Sequence, residues 1–133
     1  MKKQKRKIAL LTLLLAIAGC FSSYAQRLTA SVSNSTVGVG QQFQVSFSFN
    51  ANGTSFQPPS FSGFDVYSGP NESTSVEFVN GNVSQSITYS YILAAKKEGT
   101  FTFGSASINA GGKTFKSNPV NIKVVKGSPQ QNT

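Results

Sequence analysis

The sequence predicts an all-β protein: one antiparallel β-sandwich domain behind a secretory leader. Three observations carry this. Apolar side chains recur with period two through nearly every segment after residue 26, the spacing of a strand with one face buried and one wet. Turn formers interrupt that pattern roughly every eight to twelve residues, as in sandwich folds. No segment after the leader repeats at the helical spacing. A chain of 133 residues allows one domain.

The leader reads in the usual order. Lys2, Lys3, Lys5, Arg6 and Lys7 form a positive start, and Ile8 to Ala18 is an apolar run broken only by Thr12. At about eleven residues it is too short to cross a bilayer core but suits the centre of a signal peptide. Ser23 and Ala25 are small residues two apart, which places cleavage between Ala25 and Gln26. A second reading competes within the same segment. Ile17-Ala18-Gly19-Cys20 resembles a lipobox, with Cys20 as the lipidated residue. The first site is preferred, because a strand starting near Arg27 leaves almost no tether between a lipid on Cys20 and the fold. The expected organisation is a leader over 1–25, a sandwich over 26–126, and a tail or linker start over 127–133.

Cleavage there changes the charge argument. The whole chain is formally +8, yet five of its twelve basic residues lie in the leader. The remainder keeps seven basic residues against Asp65, Glu72, Glu77 and Glu98, a mild +3. The overall basicity therefore reports targeting, and nucleic acid is not an expected partner. The remainder also lacks cysteine, so its stability rests on an apolar core to which ten of the eleven Phe can contribute.

Along the domain, Leu28, Ala30 and Val32 alternate with polar residues in Arg27 to Ser33, and Asn34 to Gly40 is rich in turn formers. Phe43, Val45, Phe47 and Phe49 give the clearest strand, with Gln42, Gln44, Ser46 and Ser48 on its wet face. Asn50 to Ser60 reads as a loop, since Pro58-Pro59 removes two donors. Phe61 to Tyr67 predicts a short strand ending at the turn Ser68-Gly69-Pro70-Asn71. Ser75 to Val79 and Val83 to Leu93 flank Asn80-Gly81, a two-residue hairpin signal. Ile87, Tyr89, Tyr91 and Leu93 share one face of the second arm. Lys96 to Gly99 is a turn, Thr100 to Phe103 and Ala106 to Asn109 are strands, and Gly111-Gly112 leads into Lys113 to Lys116. Val120, Ile122 and Val124 close the domain. About eight strands result, an immunoglobulin or fibronectin type III style of sandwich without the Cys-Trp-Cys hallmark; a closed barrel is the alternative.

Candidate chemistry is sparse. With no His, the commonest general base and metal ligand is missing. The four acids fall on separate elements: Glu72 in a turn, Glu77 on a wet strand face. No pair is placed for acid–base work. No catalytic, metal or cofactor residue is assigned, and no cofactor is expected. Tyr67, Tyr89, Tyr91, Phe56, Phe61 and Phe64 could line a stacking face, but their alternation favours a core role. The rigid apolar loop carrying Phe56, Pro58, Pro59 and Phe61 has two open readings, a partner contact or a plug for one end of the core.

A set of segments resembles a known family. Phe56-Gln57-Pro58-Pro59-Ser60-Phe61 runs through Phe64-Asp65-Val66 to Ser68-Gly69-Pro70-Asn71. Then follow Ser84-Gln85-Ser86, Tyr89-Ser90-Tyr91-Ile92-Leu93, Lys96-Lys97-Glu98-Gly99-Thr100-Phe101, Gly112-Lys113-Thr114-Phe115 and Val120-Asn121-Ile122-Lys123-Val124. Their order and spacing resemble the amino-terminal region of BatD, the oxygen-tolerance protein of the Bacteroides aerotolerance group. The resemblance implies a periplasm-facing β-sandwich without catalytic residues. It also implies protein partners, von Willebrand A-domain membrane proteins; family members are typically encoded beside these and a MoxR-type ATPase. Family members are usually longer and carry a membrane-spanning helix. This chain is therefore expected to be a fragment or a stand-alone first domain, attached to a membrane only through Cys20 lipid or a longer anchored form. The expected function is a non-enzymatic interaction module linked to oxygen tolerance and envelope stress. The alternative is a secreted adhesin or carbohydrate-binding sandwich.

Overall fold

The computed structural model describes residues 25–127; residues 1–24, with Cys20 and most of the expected leader, and residues 128–133 lie outside the described residues. Within them are ten strands and no helix: β1 (Leu28–Val32), β2 (Thr36–Gly38), β3 (Gln42–Phe49), β4 (Thr54–Gln57), β5 (Phe64–Val79), β6 (Asn82–Ala95), β7 (Gly99–Phe103), β8 (Ser107–Ala110), β9 (Lys113–Lys116) and β10 (Val120–Val125). One layer has the order β1-β3-β6-β5, antiparallel throughout. The other is built from two ladders, β2-β10-β7 and β4-β8-β9.

Those two ladders are halves of one bent layer. Phe103 pairs with Val120, and Ser107 pairs with Lys116 in the same register. Between them Ser117 N–H donates to the Ala106 carbonyl at 3.0 Å, and Ala106 N–H donates to Ser117 Oγ at 2.8 Å. The bend falls where Pro119 has no N–H to offer and Gly104 has no side chain to pack. The chain is thus an immunoglobulin-like sandwich: the four strands β1-β3-β6-β5 match the A-B-E-D sheet of that architecture.

The alternating pattern of β3 buries as expected: Phe43, Val45, Phe47 and Phe49 are all nearly inaccessible. They meet Tyr91 and Leu93 of β6 on their own sheet and Phe103, Ile108, Ile122 and Val124 from the opposite layer. Rings link the layers. Phe64 sits edge-on to Phe43 and Phe103 at 5.7 and 4.9 Å, and Phe61 lies 5.1 Å from both Tyr91 and Phe103. On the wet face of the same sheet, hydroxyls pair across strands, Ser46 with Ser90 at 3.3 Å and Ser48 with Thr88 at 3.0 Å.

Three readings of the sequence are corrected. The turn-rich segment Asn34 to Gly40 contains β2, which runs parallel to β10, so the sandwich is not wholly antiparallel. The first strand leaves one sheet and its continuation joins the edge of the other, which requires that direction. The loop Asn50 to Ser60 contains β4, which ends at Gln57, just before the prolines. Most consequentially, Ser68-Gly69-Pro70-Asn71 does not end a short strand. The chain passes through it as register irregularities between Val66 and Asn71, and β5 runs on to Val79, 16 residues in all. Gly69 permits this: at φ +121°, a Cβ there would lie 2.7 Å from the Ser90 carbonyl oxygen and 3.0 Å from Tyr91 Cα. Pro70 lies on the outermost strand of its sheet, where a missing N–H is tolerated.

Candidate functional site

Glu72 is on a strand, not in a turn, and its neighbour Glu77 lies five residues along the same strand, β5. An odd spacing places the two carboxylates on opposite faces. Asp65 is an exposed partner of Lys96 at 3.5 Å, and Glu98 lies in the bend before β7. Among the described residues no three His, Cys, Asp or Glu side chains converge on a metal-sized site. Glu72 stands directly opposite Tyr89. Burial first, and that carboxylate second, raise the Tyr89 phenol above its ordinary value. Tyr91 is raised by burial and then by Tyr89.

Most of the aromatic candidates face inward. Phe64 and Tyr91 are buried. Phe56 stacks flat on Tyr89, centroids 4.0 Å apart and planes 3° from parallel, and touches Phe47 at 5.5 Å. Tyr67 alone of the six is open, at 59% exposure. In the Phe56 to Phe61 segment, Phe56 and Phe61 pack against the core, Pro59 is half-buried and Pro58 is exposed.

The apolar surface that does face outward is elsewhere. β3 reaches Ile87 of β6 at its last residue, Phe49, yet β5 and β6 remain paired as far as Val79 and Asn82. The last turns of this hairpin project past the sandwich as an arm, closed by Asn80 and Gly81 at φ 51° and 77°, the two-residue turn its sequence predicts. Val76, Phe78 and Val83 continue the core-facing side of their sheet with no opposing strand to cover them. Their exposures are 50, 76 and 63%. An open groove of about 750 Å³ runs between the arm and Asn50 to Asn52, lined by Ser75, Glu77, Val79, Val83, Ser84 and Gln85 among others.

The sequence predicts this hairpin but not its exposure. The signal was present: apolar residues flank Asn80-Gly81, and no Lys or Arg occurs from Phe64 through Ala95, a span holding Asp65, Glu72 and Glu77. Period two alone cannot tell a covered face from an uncovered one.

The fold and this arm define an immunoglobulin-like sandwich module with an exposed hairpin. Residues 30–124 match the family model BatD, described as a BatD DUF11 like domain. The chain belongs to the BatD family, which is not a known enzyme family. Among curated proteins, none matches the chain.

Proposed function

We propose that this domain is a non-enzymatic, cell-envelope-facing interaction module of a BatD-like protein associated with oxygen tolerance and envelope stress, and that it docks protein partners. The observation that carries the reading is the projecting arm with Val76, Phe78, Val79 and Val83 open to solvent. A monomeric domain ordinarily scatters such residues singly; clustering on one hairpin marks contact surface. The inward stacking of Phe56 on Tyr89 favours a protein partner over a sugar, since those rings are spent on the core. Glu72 and Glu77, on opposite faces of one strand, support a role without acid–base chemistry.

The family resemblance points to von Willebrand A-domain membrane proteins as partners. The test is affinity capture of the chain, and of any longer form, from an envelope fraction. Co-purification of such a protein is the expected result. Its absence with both forms would sink the partner reading.

A further inference from the structure

The strand β5 lies at the edge of its sheet, and from Asn71 to Val79 its register against β6 is unbroken. In a two-residue hairpin the pair flanking the turn, Val79 and Asn82, exchanges hydrogen bonds, and alternate pairs follow suit. The N–H and C=O groups of Glu72, Thr74, Val76 and Phe78 therefore point away from β6, towards open solvent. Such an edge is a template for another strand, and proteins commonly guard it with Lys, Pro, bulges or a covering element. Two other edges here are guarded. The β1 edge is met by the Asn118 carboxamide, bonded to both backbone groups of Ala30, and the short β9 carries Lys113 and Lys116. The segment Asn71 to Val79 has no Lys, Pro, bulge or covering element, and its only charges are Glu72 and Glu77.

We propose that this edge accepts an extended, basic-and-apolar segment of a partner protein as an added strand. Charge selects that occupant. The edge from Asn71 to Val79 carries two carboxylates and no cation, whereas two such edges paired together would gather four carboxylates without a counterion. A strand laid along Glu72 to Phe78 meets apolar Val76 and Phe78 on one face, with Glu72 at the end of that same face. It meets Glu77 on the opposite face. The fitting segment has basic residues five apart, on opposite faces, with β-branched residues between them on the Val76 side. This inference rests on the docking reading and specifies its site and mode.

The probe is a blocked peptide, Val-Lys-Val-Thr-Val-Thr-Lys, titrated into the purified chain by fluorescence anisotropy. Its comparators are the charge-reversed peptide with Glu for Lys and a version N-methylated on alternate residues. Binding of the basic peptide is expected, weakening as salt rises. It should fall at least tenfold with either comparator, with Glu72→Lys/Glu77→Lys, and with Val76→Pro, which removes an edge donor but no ladder bond. Equal binding by the charge-reversed or N-methylated peptide would overturn the proposal, as would no binding by the basic one. A concentration-dependent dimer abolished by Val76→Pro would also overturn it, in favour of a second copy as occupant. The two readings separate in the envelope capture. A von Willebrand A-domain partner still held by Val76→Pro would leave docking standing and refute the edge site, while no such partner on the unaltered chain would refute docking itself.

Discussion

The side-chain amide of Asn118 is bonded to Ala30 as a neighbouring strand would be: Ala30 N–H donates to Asn118 Oδ1 at 3.0 Å, and Asn118 Nδ2 donates to the Ala30 carbonyl at 3.1 Å. These residues are 88 positions apart, and the contact ties the middle of β1 to the segment just before β10 in the other layer. Asn118→Ala leaves both groups of Ala30 without that partner and should cost about 1–2 kcal/mol. Asn118→Asp should cost more, because a carboxylate then faces the Ala30 carbonyl. Urea unfolding of the three proteins checks the order; equal midpoints would remove the amide as a tie between layers.

The stacked pair Phe56 and Tyr89 makes a second prediction. Phe56 is half-buried, so Phe56→Ala should cost about 2–3 kcal/mol, below the range for fully buried phenylalanines. Pro58→Ala, two residues on and exposed, should stay within about 0.5 kcal/mol. Thermal melts compare them. A stability-neutral Phe56→Ala would return this loop to the list of candidate contact surfaces.

Gly69→Ala should be damaging out of proportion to its exposed position. The added methyl would press on backbone, with Ser90 O at 2.7 Å, at a φ of +121°. A loss of at least about 2 kcal/mol is expected. Gly81→Ala, at φ +77° with nothing within 4 Å of the new Cβ, should cost only about 1 kcal/mol for the left-handed backbone. Denaturant midpoints for both variants give the comparison.

Alkaline pH should weaken the fold through its tyrosines. Tyr89 and Tyr91 are both raised above the ordinary 10.0 in the native state, so the native state holds these protons more tightly than the unfolded chain. That stability is fully present below the unfolded value and is lost as pH rises through the raised native values. Unfolding midpoints measured upward from about pH 8 should be flat and then fall. Glu72→Gln should lower the Tyr89 midpoint, read from phenolate absorbance, by removing the charge opposite it.

The arm should be dispensable for folding. Phe78, at 76% exposure, packs on little, and Phe78→Ser should change stability by no more than about 0.5 kcal/mol. Phe47→Ala, at 1% exposure, should cost about 3–5 kcal/mol. Calorimetry separates the two; a large loss for Phe78→Ser would mean that the arm is held by contacts of its own.

Local rules were enough wherever the responsible residues are neighbours in the chain. Alternation from Phe43 to Phe49 placed those side chains in the core, and Asn80-Gly81 placed a two-residue hairpin turn. The class of fold and the family followed from such segments taken in order. Four things depended on partners far away in sequence. β2 forms because Val37 and Gly38 find β10, and β4 because Thr54 and Gln57 find β8. Ser68 to Asn71 stays in a strand because Gly69 can approach Ser90. The exposure of Val76, Phe78 and Val83 depends on where the opposing layer stops. Period two fixes which side chains share a face and says nothing of what covers that face. For this chain the sequence determined a sandwich with an aromatic core, while the tertiary structure decided that one hairpin outruns it, leaving an acidic, apolar edge open.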